Sequence, residues 1–338
     1  MTATTPARPG ALVDRYGRQA TDLRVSLTDR CNLRCEYCMP AEGLEWLPTD
    51  DVLTDAEVVR LIEIAVTRLG VDEVRFTGGE PLVRRGLVDI VAATTALRPR
   101  PRTAITTNAL GLQRVAGALA AAGLDRVNVS LDTVRRDTFA QITRRDRLPD
   151  VLAGLEAAAE HGLAPVKINA VLLRGQNDDQ AGELLGWAID HGYELRFIEQ
   201  MPLDAQHQWR RDTMITADEI FARLAERFTL TPADEKRGSA PAERFLVDGG
   251  PATVGVIASV TRPFCGDCDR VRLTADGQVR NCLFAREESD LRTAMRDGAD
   301  DEEIAARWRA AVEVKRAGHG IDDPTFIQPT RSMSAIGG

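Results

Sequence analysis

Three cysteines lie within eight residues, in the run Thr28-Asp29-Arg30-Cys31-Asn32-Leu33-Arg34-Cys35-Glu36-Tyr37-Cys38-Met39-Pro40. Whatever fold the chain adopts must present these three thiols from one short segment. Three soft thiolates held together suit an iron–sulfur cluster. A cubane of four irons bound this way keeps one iron without a protein ligand, and chemistry can happen there. Spacings of four and three could instead bury all three thiols on one helix face, but Asn32, Arg34 and the Met39-Pro40 end disfavour a long helix. A structural zinc site asks for a fourth Cys or His, and none lies between Arg18 and Leu110. Disulfides need pairs and an oxidising compartment.

Composition narrows the setting. With 338 residues and 43% apolar side chains, the chain can form one large domain, or one domain and a smaller one. Its mean hydropathy is −0.22. The longest apolar stretches, such as Val115 to Leu124, fall short of the ~20 residues that span a bilayer. Met1 to Gly10 is Thr/Pro/Ala-rich without a hydrophobic h-region. We therefore expect no signal peptide, a disordered lead-in over residues 1–14, and a reducing cytoplasm where thiolates stay free for metal. The net charge of −8, from 43 basic and 51 acidic residues, argues against bulk nucleic-acid binding. Only three of the basic residues are lysine, namely Lys167, Lys236 and Lys315. None sits in Gly-Lys-Ser/Thr, so there is no P-loop and any nucleotide must be held another way.

From Leu23 to Met201, short β-branched runs alternate with amphipathic helical stretches. The expected strands are Leu23–Thr28, Glu73–Thr77, Thr103–Thr107, Arg126–Leu131, Val166–Leu172 and Glu194–Glu199. Asp55–Leu69 reads as a helix opened by a Thr54/Glu57 capping box. Such alternation builds a parallel sheet with right-handed crossovers. Six units make three-quarters of a TIM barrel, whose sites lie at the strand C-termini. The cysteine loop follows the first strand directly, as that rule requires. A doubly wound sheet is the alternative from pattern alone. Past Met201 the alternation fails. A helix over Ala217–Phe228 with a Thr216/Glu219 capping box leads into a polar loop at Pro232–Pro241. Strands at Arg244–Val247 and Ala252–Ser259, a hairpin turning at Asp276-Gly277 and acidic helical segments around Asp290–Met295 and Glu302–Val314 follow. The expectation is an α/β chain, with a partial (β/α)6 barrel domain over 15–215 and a smaller C-terminal α+β region over 216–338.

That region carries a second triplet, Cys265-Gly266-Asp267-Cys268 with Cys282 fourteen residues on. CxxC alone fits a redox dithiol, and zinc would have to recruit one of four sequence-remote histidines. A second cluster with an open iron accounts better for three thiols without a fourth.

The first triplet and its flanks resemble the radical S-adenosylmethionine (SAM) superfamily, whose cores are partial (β/α)6 barrels. The second triplet sits in Phe264-Cys265-Gly266-Asp267-Cys268-Asp269-Arg270-Val271-Arg272-Leu273, followed by Asn281-Cys282-Leu283-Phe284. With the end Met333-Ser334-Ala335-Ile336-Gly337-Gly338, this is similar to the GTP 3′,8-cyclase (MoaA) family, which opens molybdenum cofactor biosynthesis. The similarity runs from about Arg15 to the C-terminus.

The resemblance implies two 4Fe–4S clusters, on Cys31, Cys35 and Cys38 and on Cys265, Cys268 and Cys282, together with SAM cleaved to a 5′-deoxyadenosyl radical. It implies SAM contacts at Tyr37 through backbone groups, at Gly79 within Thr77-Gly78-Gly79-Glu80-Pro81, at Ser130 and at Met201. For GTP it implies Arg24, Arg75, Thr106, Lys167, Arg270, Val271 and Arg272. The residues themselves allow this: guanidinium forks bind phosphate bidentately, and a charge on a strand facing a barrel interior is costly without an anion. The same residues also have plainer readings, an ordinary turn at Thr77–Pro81 and core packing for Met201. The implied reaction removes hydrogen from the ribose 3′ carbon of GTP. The carbon radical then attacks C8, and reduction gives 3′,8-cyclo-7,8-dihydro-GTP, a lyase-class cyclisation. Guanine is implied against the open iron of the second cluster, with Arg270, Arg272 and the Gly337-Gly338 tail acting at the substrate. Also implied are a one-electron donor of flavodoxin or ferredoxin type, a downstream cyclic pyranopterin monophosphate synthase that takes the product, and a homodimer. Where the family often has Thr-Thr-Asn-Gly, this chain has Thr106-Thr107-Asn108-Ala109. A left-handed backbone there would strain Ala109 unless Gly111 takes over the turn. The competing readings are a peptide-modifying radical SAM enzyme with an auxiliary cluster and a non-enzymatic iron–sulfur electron carrier.

Overall fold

The computed structural model describes residues 10–234 and 237–337. Of the expected lead-in, residues 1–9 lie outside the described residues, as does Gly338. The remainder is packed rather than loose. Leu12 is fully buried and donates its N–H to Leu69, and Val13 bridges to Gln19.

Six parallel strands follow chain order in space: β1 (Asp22–Ser26), β2 (Glu73–Thr77), β3 (Arg102–Thr107), β4 (Arg126–Ser130), β5 (Lys167–Val171) and β6 (Glu194–Ile198). A doubly wound sheet reverses its order at a switch point. This one does not, so the barrel reading stands. The strands alternate with period two. Leu23, Val25, Val74, Phe76, Ile105, Val127, Val129, Ile168, Leu195 and Phe197 are buried in the apolar core. Helices α1 (Asp55–Arg68), α2 (Leu87–Ala96), α3 (Ala116–Ala121), α4 (Arg136–Thr143), α5 (Leu148–Glu160) and α6 (Ala181–Asp190) pack their apolar residues into the same core. The alternate positions carry Arg24, Arg75, Thr106, Asn128, Asn169 and Arg196. A parallel sheet with two packed faces should read as nearly continuous apolar residues. Here one face is polar, which marks it as a site. The α1 capping box is complete, Thr54 Oγ1 accepting from Glu57 N–H at 3.2 Å and Glu57 accepting from Thr54 N–H at 2.7 Å.

The C-terminal region extends this same sheet at both edges. On one side β9 (Thr253–Ile257) pairs parallel with β6, followed outward by β8 (Glu243–Val247) and β7 (Leu230–Pro232). On the other β10 (Arg270–Leu273) pairs parallel with β1, followed by β11 (Gln278–Arg280) and β12 (Ser289–Asp290). Among the described residues this gives one open sheet of twelve strands. The β1–β10 register sets Arg24 beside Arg272 and Asp22 beside Arg270. The turn at Asp276-Gly277 joins β10 and β11 as an antiparallel hairpin.

Glu199, at the end of β6, fastens the two regions together. Its buried carboxylate accepts from Ala217 N–H (2.8 Å), Val260 N–H (2.8 Å), Thr261 N–H (2.9 Å) and the Thr261 hydroxyl (2.5 Å). Removing one partner from such a network leaves buried donors unsatisfied. Glu199→Ala is therefore expected to lower unfolding free energy by about 3–5 kcal/mol, and Glu199→Gln, which keeps an acceptor, by less. Denaturant unfolding of both variants checks this, and a loss under ~1 kcal/mol for the alanine would refute it.

Ala109 does adopt the left-handed region, with φ 62°, and Gly111 follows with φ 94°. The strain of roughly 1 kcal/mol is held by local bonds from Ala109 N–H to Thr107 Oγ1 (2.9 Å) and from Leu110 N–H to Asn108 Oδ1 (3.0 Å).

A candidate active site between two cysteine loops

The first cysteine loop leaves the C-terminal end of β1 and turns tightly. Cys38 and Met39 both donate N–H to the Cys35 carbonyl at 3.0 Å. The Thr77–Pro81 turn after β2 clamps it, with Gly79 N–H on Thr28 O and Glu80 N–H on Arg30 O, each 2.8 Å. A Cβ on Gly78 or Gly79 would collide with the carbonyls of Thr28, Asp29 or Arg30. Both glycines are thus required by the approach of one loop to another, a reason the sequence alone does not reveal. All three thiols are free and half-buried. Burial pushes Cys31 up to about 11 and Cys38 to about 12, with Cys31 adding to the effect at Cys38. Cys35 is likewise held well above the usual thiol range by burial and by Asp132. Thiols kept neutral in this way await a cation to make them thiolates. Among the described residues no three His, Cys, Asp or Glu side chains close into a cage around a single metal ion. Three soft thiols presented by one tight turn are the donor set that an iron–sulfur cluster takes.

Beneath the loop Glu80 is almost fully buried. Its carboxyl accepts from the Thr107 hydroxyl (2.6 Å), Asn108 N–H (2.7 Å) and Leu82 N–H (3.0 Å). Burial outweighs these bonds and moves its pKa from 4.5 up to about 7. The folded protein therefore binds a proton that the unfolded chain releases near pH 4.5. Stability from this group is complete below that pH and is lost as pH rises through about 7. The change is roughly 3 kcal/mol, at about 1.4 kcal/mol per pH unit. Urea unfolding of wild type and Glu80→Gln across this window should show the wild-type advantage shrinking. A pH-independent difference would exclude a protonated Glu80.

One cavity connects this loop to the second triplet. Cys38 lines one end, and Cys265, Cys268 and Cys282 line the other. Between them lie Arg24, Arg75, Arg196, Arg270 and Arg272, with Thr106, Ser130 and Asn169. Asp132 and Glu199 are the lining carboxylates, and both are engaged elsewhere, Asp132 accepting from the Tyr37 hydroxyl (2.8 Å) and Val171 N–H (2.9 Å). The arginines are short of partners. Arg75 reaches Glu73 at 2.8 Å and Asp22 at 3.5 Å, and Arg24 comes no nearer than 4.0 Å to Asp22. The Nε atoms of Arg24, Arg75 and Arg196 and one terminal nitrogen of Arg270 are buried without a hydrogen-bond partner. Burial, and then Arg75, pushes Arg24 down to about 10 and Arg196 to about 9. Arg272 falls well below its ordinary range through burial and then Arg24. Asp22 offsets part of this charge, and a bound anion among the guanidinium groups would offset the rest.

Of the residues expected for SAM, Tyr37, Ser130 and Met201 line the cavity, whereas Gly79 serves the loop contact described above. Of those expected for the triphosphate, Arg24, Arg75, Thr106, Arg270 and Arg272 line it. Lys167 stands apart, paired with Glu194 at 3.0 Å, and the Val271 side chain lies in the apolar core. Gly337 has φ 84°, and its carbonyl accepts from Arg272. A Cβ there would strike Ser26 and Thr77, at the ends of β1 and β2. Arg196, Glu80 and Asp132 were not singled out from the sequence. Arg196 was findable, since it interrupts Leu195 and Phe197 as Arg24 interrupts Leu23 and Val25.

The chain matches the Radical SAM superfamily over residues 25–188 and Molybdenum Cofactor Synthesis C over residues 193–321. It is 67% identical to a GTP 3′,8-cyclase of Streptomyces coelicolor over 341 residues, spanning 100% of both chains. The chain belongs to the GTP 3′,8-cyclase family. A family member from Mycolicibacterium smegmatis is 64% identical over 97% of this chain and 92% of its own. Among solved structures, SuiB of Streptococcus suis bound to S-adenosylmethionine superposes with TM-score 0.57 at 16% identity, covering 86% of this chain and 69% of that one. Coproporphyrinogen III oxidase (HemN) from Escherichia coli gives 0.51 at 13% identity, over 84% and 71%. These two show the shared barrel fold. Membership of the radical SAM superfamily brings SAM and an iron–sulfur cluster to this chain. Among the described residues no helix is long and apolar enough to cross a membrane.

Proposed function

We propose that the chain cyclises GTP to (8S)-3′,8-cyclo-7,8-dihydroguanosine 5′-triphosphate, the first step of molybdenum cofactor biosynthesis. The observation that carries this reading is one cavity running from Cys38 to the second triplet past five arginines, four of which bury a nitrogen without a hydrogen-bond partner. A triphosphate supplies the charge those guanidinium groups lack. With its phosphates on Arg24, Arg75, Arg196 and Arg272, the nucleoside extends between the two cysteine loops. Bound to Cys31, Cys35 and Cys38, a 4Fe–4S cluster with SAM supplies the one-electron chemistry that starts the reaction. Tyr37, Ser130 and Met201 orient SAM from the first loop and the ends of β4 and β6. Cys265, Cys268 and Cys282 would hold a second 4Fe–4S cluster. Ile198, Met201, Leu203, Ile257 and Phe284 wall the cavity with apolar surface that keeps water from a reactive radical. Arg272 joins substrate to the tail through the Gly337 carbonyl, and Gly338 completes that tail. The enzyme takes its electrons from a flavodoxin- or ferredoxin-type donor in a reducing cytoplasm, works as a homodimer, and hands its unstable product to a cyclic pyranopterin monophosphate synthase.

Anaerobic reconstitution followed by assay of SAM cleavage with and without GTP tests this. We expect 5′-deoxyadenosine release coupled to GTP consumption. SAM cleavage that never couples to GTP would sink the assignment, and no cleavage at all would sink the radical reading with it.

A further inference from the structure

Lysine is rare here, three residues among 43 basic ones, yet one lysine is placed where the surroundings are least forgiving. Lys315 lies just beyond helix α7 (Asp301–Glu313) and is 4% exposed. Its Nζ donates to the Arg270 carbonyl at 2.9 Å and the Cys268 carbonyl at 3.2 Å, and it stands 3.3 Å from Cys268 Sγ. Three acceptors meet the three donors of an ammonium. A planar guanidinium could not point its donors at the same three atoms. Among the described residues no carboxylate pairs with Lys315, so its buried charge needs a counter-charge from the sulfur.

We propose that Lys315 is a positioning residue of the second cysteine site, holding the Cys268 sulfur and carbonyl in place and tying them through the Arg270 backbone to the substrate-facing arginine. This rests on the reading that Cys265, Cys268 and Cys282 hold a cluster. Outer-shell partners that donate to a ligand set both its orientation and the potential of the centre. A cation beside the sulfur favours the more negative, reduced state, so its loss moves the potential to more negative values. Because the same ammonium holds Arg270, its loss also weakens GTP binding.

The test compares anaerobically reconstituted wild type with Lys315→Met and Lys315→Arg, by iron content, EPR-monitored redox titration and steady-state kinetics. The methionine variant should show the second-site signal shifted to more negative potential, and a KM for GTP raised roughly tenfold. The arginine variant, keeping the charge, should recover most of the potential but not the KM. Selective loss of iron from the second site in the methionine variant also supports the proposal. Should methionine prevent folding, Lys315→Gln carries the same expectation, since it donates without charge. Full iron with an unshifted signal would overturn the role of Lys315 alone. Wild-type protein that loads iron at one site only would overturn the cluster reading, and this role with it.

Discussion

Serine in place of Cys282 is expected to leave SAM cleavage in place and to abolish cyclised product, a loss on the order of 10³-fold or more, equivalent to over 4 kcal/mol in the barrier. The hydroxyl is a hard, protonated donor where a soft thiolate is needed. Cys282 lines the same cavity as Cys265 and Cys268, so the damage falls on the substrate end of the site and spares Cys31, Cys35 and Cys38. The variant should fold, because the segment after Cys282 is braced independently. The buried Arg280 guanidinium bonds Glu288 and the Ala285 carbonyl. Arg331 pairs with Glu288 at 2.7 Å and bidentately with Asp276 at 3.0 and 2.7 Å. Chromatographic yields of 5′-deoxyadenosine and of cyclised nucleotide, from one reaction, separate the two ends. Undiminished product from the variant would contradict a ligand role for Cys282.

Arg272→Leu should produce effects of opposite sign on stability and activity. Without ligand, Arg272 is a buried cation beside Arg24, compensated by a single bond to the Gly337 carbonyl. Burial and that neighbour hold its pKa well below the ordinary range, which means the charge is unfavourable in the folded protein. Leucine fills similar space without the charge, so ligand-free protein should melt at higher temperature. Turnover should suffer: two charge-assisted bonds to phosphate at about 1.5–3 kcal/mol each amount to a fall of about 10²–10⁴ in kcat/KM for GTP. The rise in melting temperature that GTP gives wild type should shrink in parallel. Lower ligand-free stability combined with normal kcat/KM would show that Arg272 is a structural residue.

The barrel strands were legible because each is a β-branched run ended by turn residues, and their order follows from the chain. Glu73–Thr77 is matched residue for residue, and the others to within two residues at either end. Both capping boxes are likewise local, written in residues three apart. What stayed hidden is non-local. No pattern within residues 253–280 says that one of its strands pairs with β6 and another with β1, so the C-terminal part read as a separate region. Side-chain destinations were hidden for the same reason. Lys167 and Arg196 are both cations on inner strands, and only the register shows that one meets Glu194 while the other faces the cavity. Glu80 looked like part of a turn because burial, the property that sets its protonation, is contributed by β3 and the loop after it. The glycines at 78 and 79 were visible as glycines, but the carbonyls they make room for come from another strand's loop.

The placement of β9 and β10 at opposite edges of one sheet has a consequence for how the protein is made. A ribosome that has released the first six strands has released a sheet whose outer edges, on β1 and β6, are both open, each offering a row of free N–H and C=O groups. Their partners lie at residues 253–257 and 270–273, near the end of translation. Synthesis proceeds at about 5–20 residues per second, so the nascent chain spends several seconds with two adhesive edges exposed. The protein is thus most vulnerable to aggregation while it is still being translated, and cutting it at the border between its two family regions would make that vulnerability permanent.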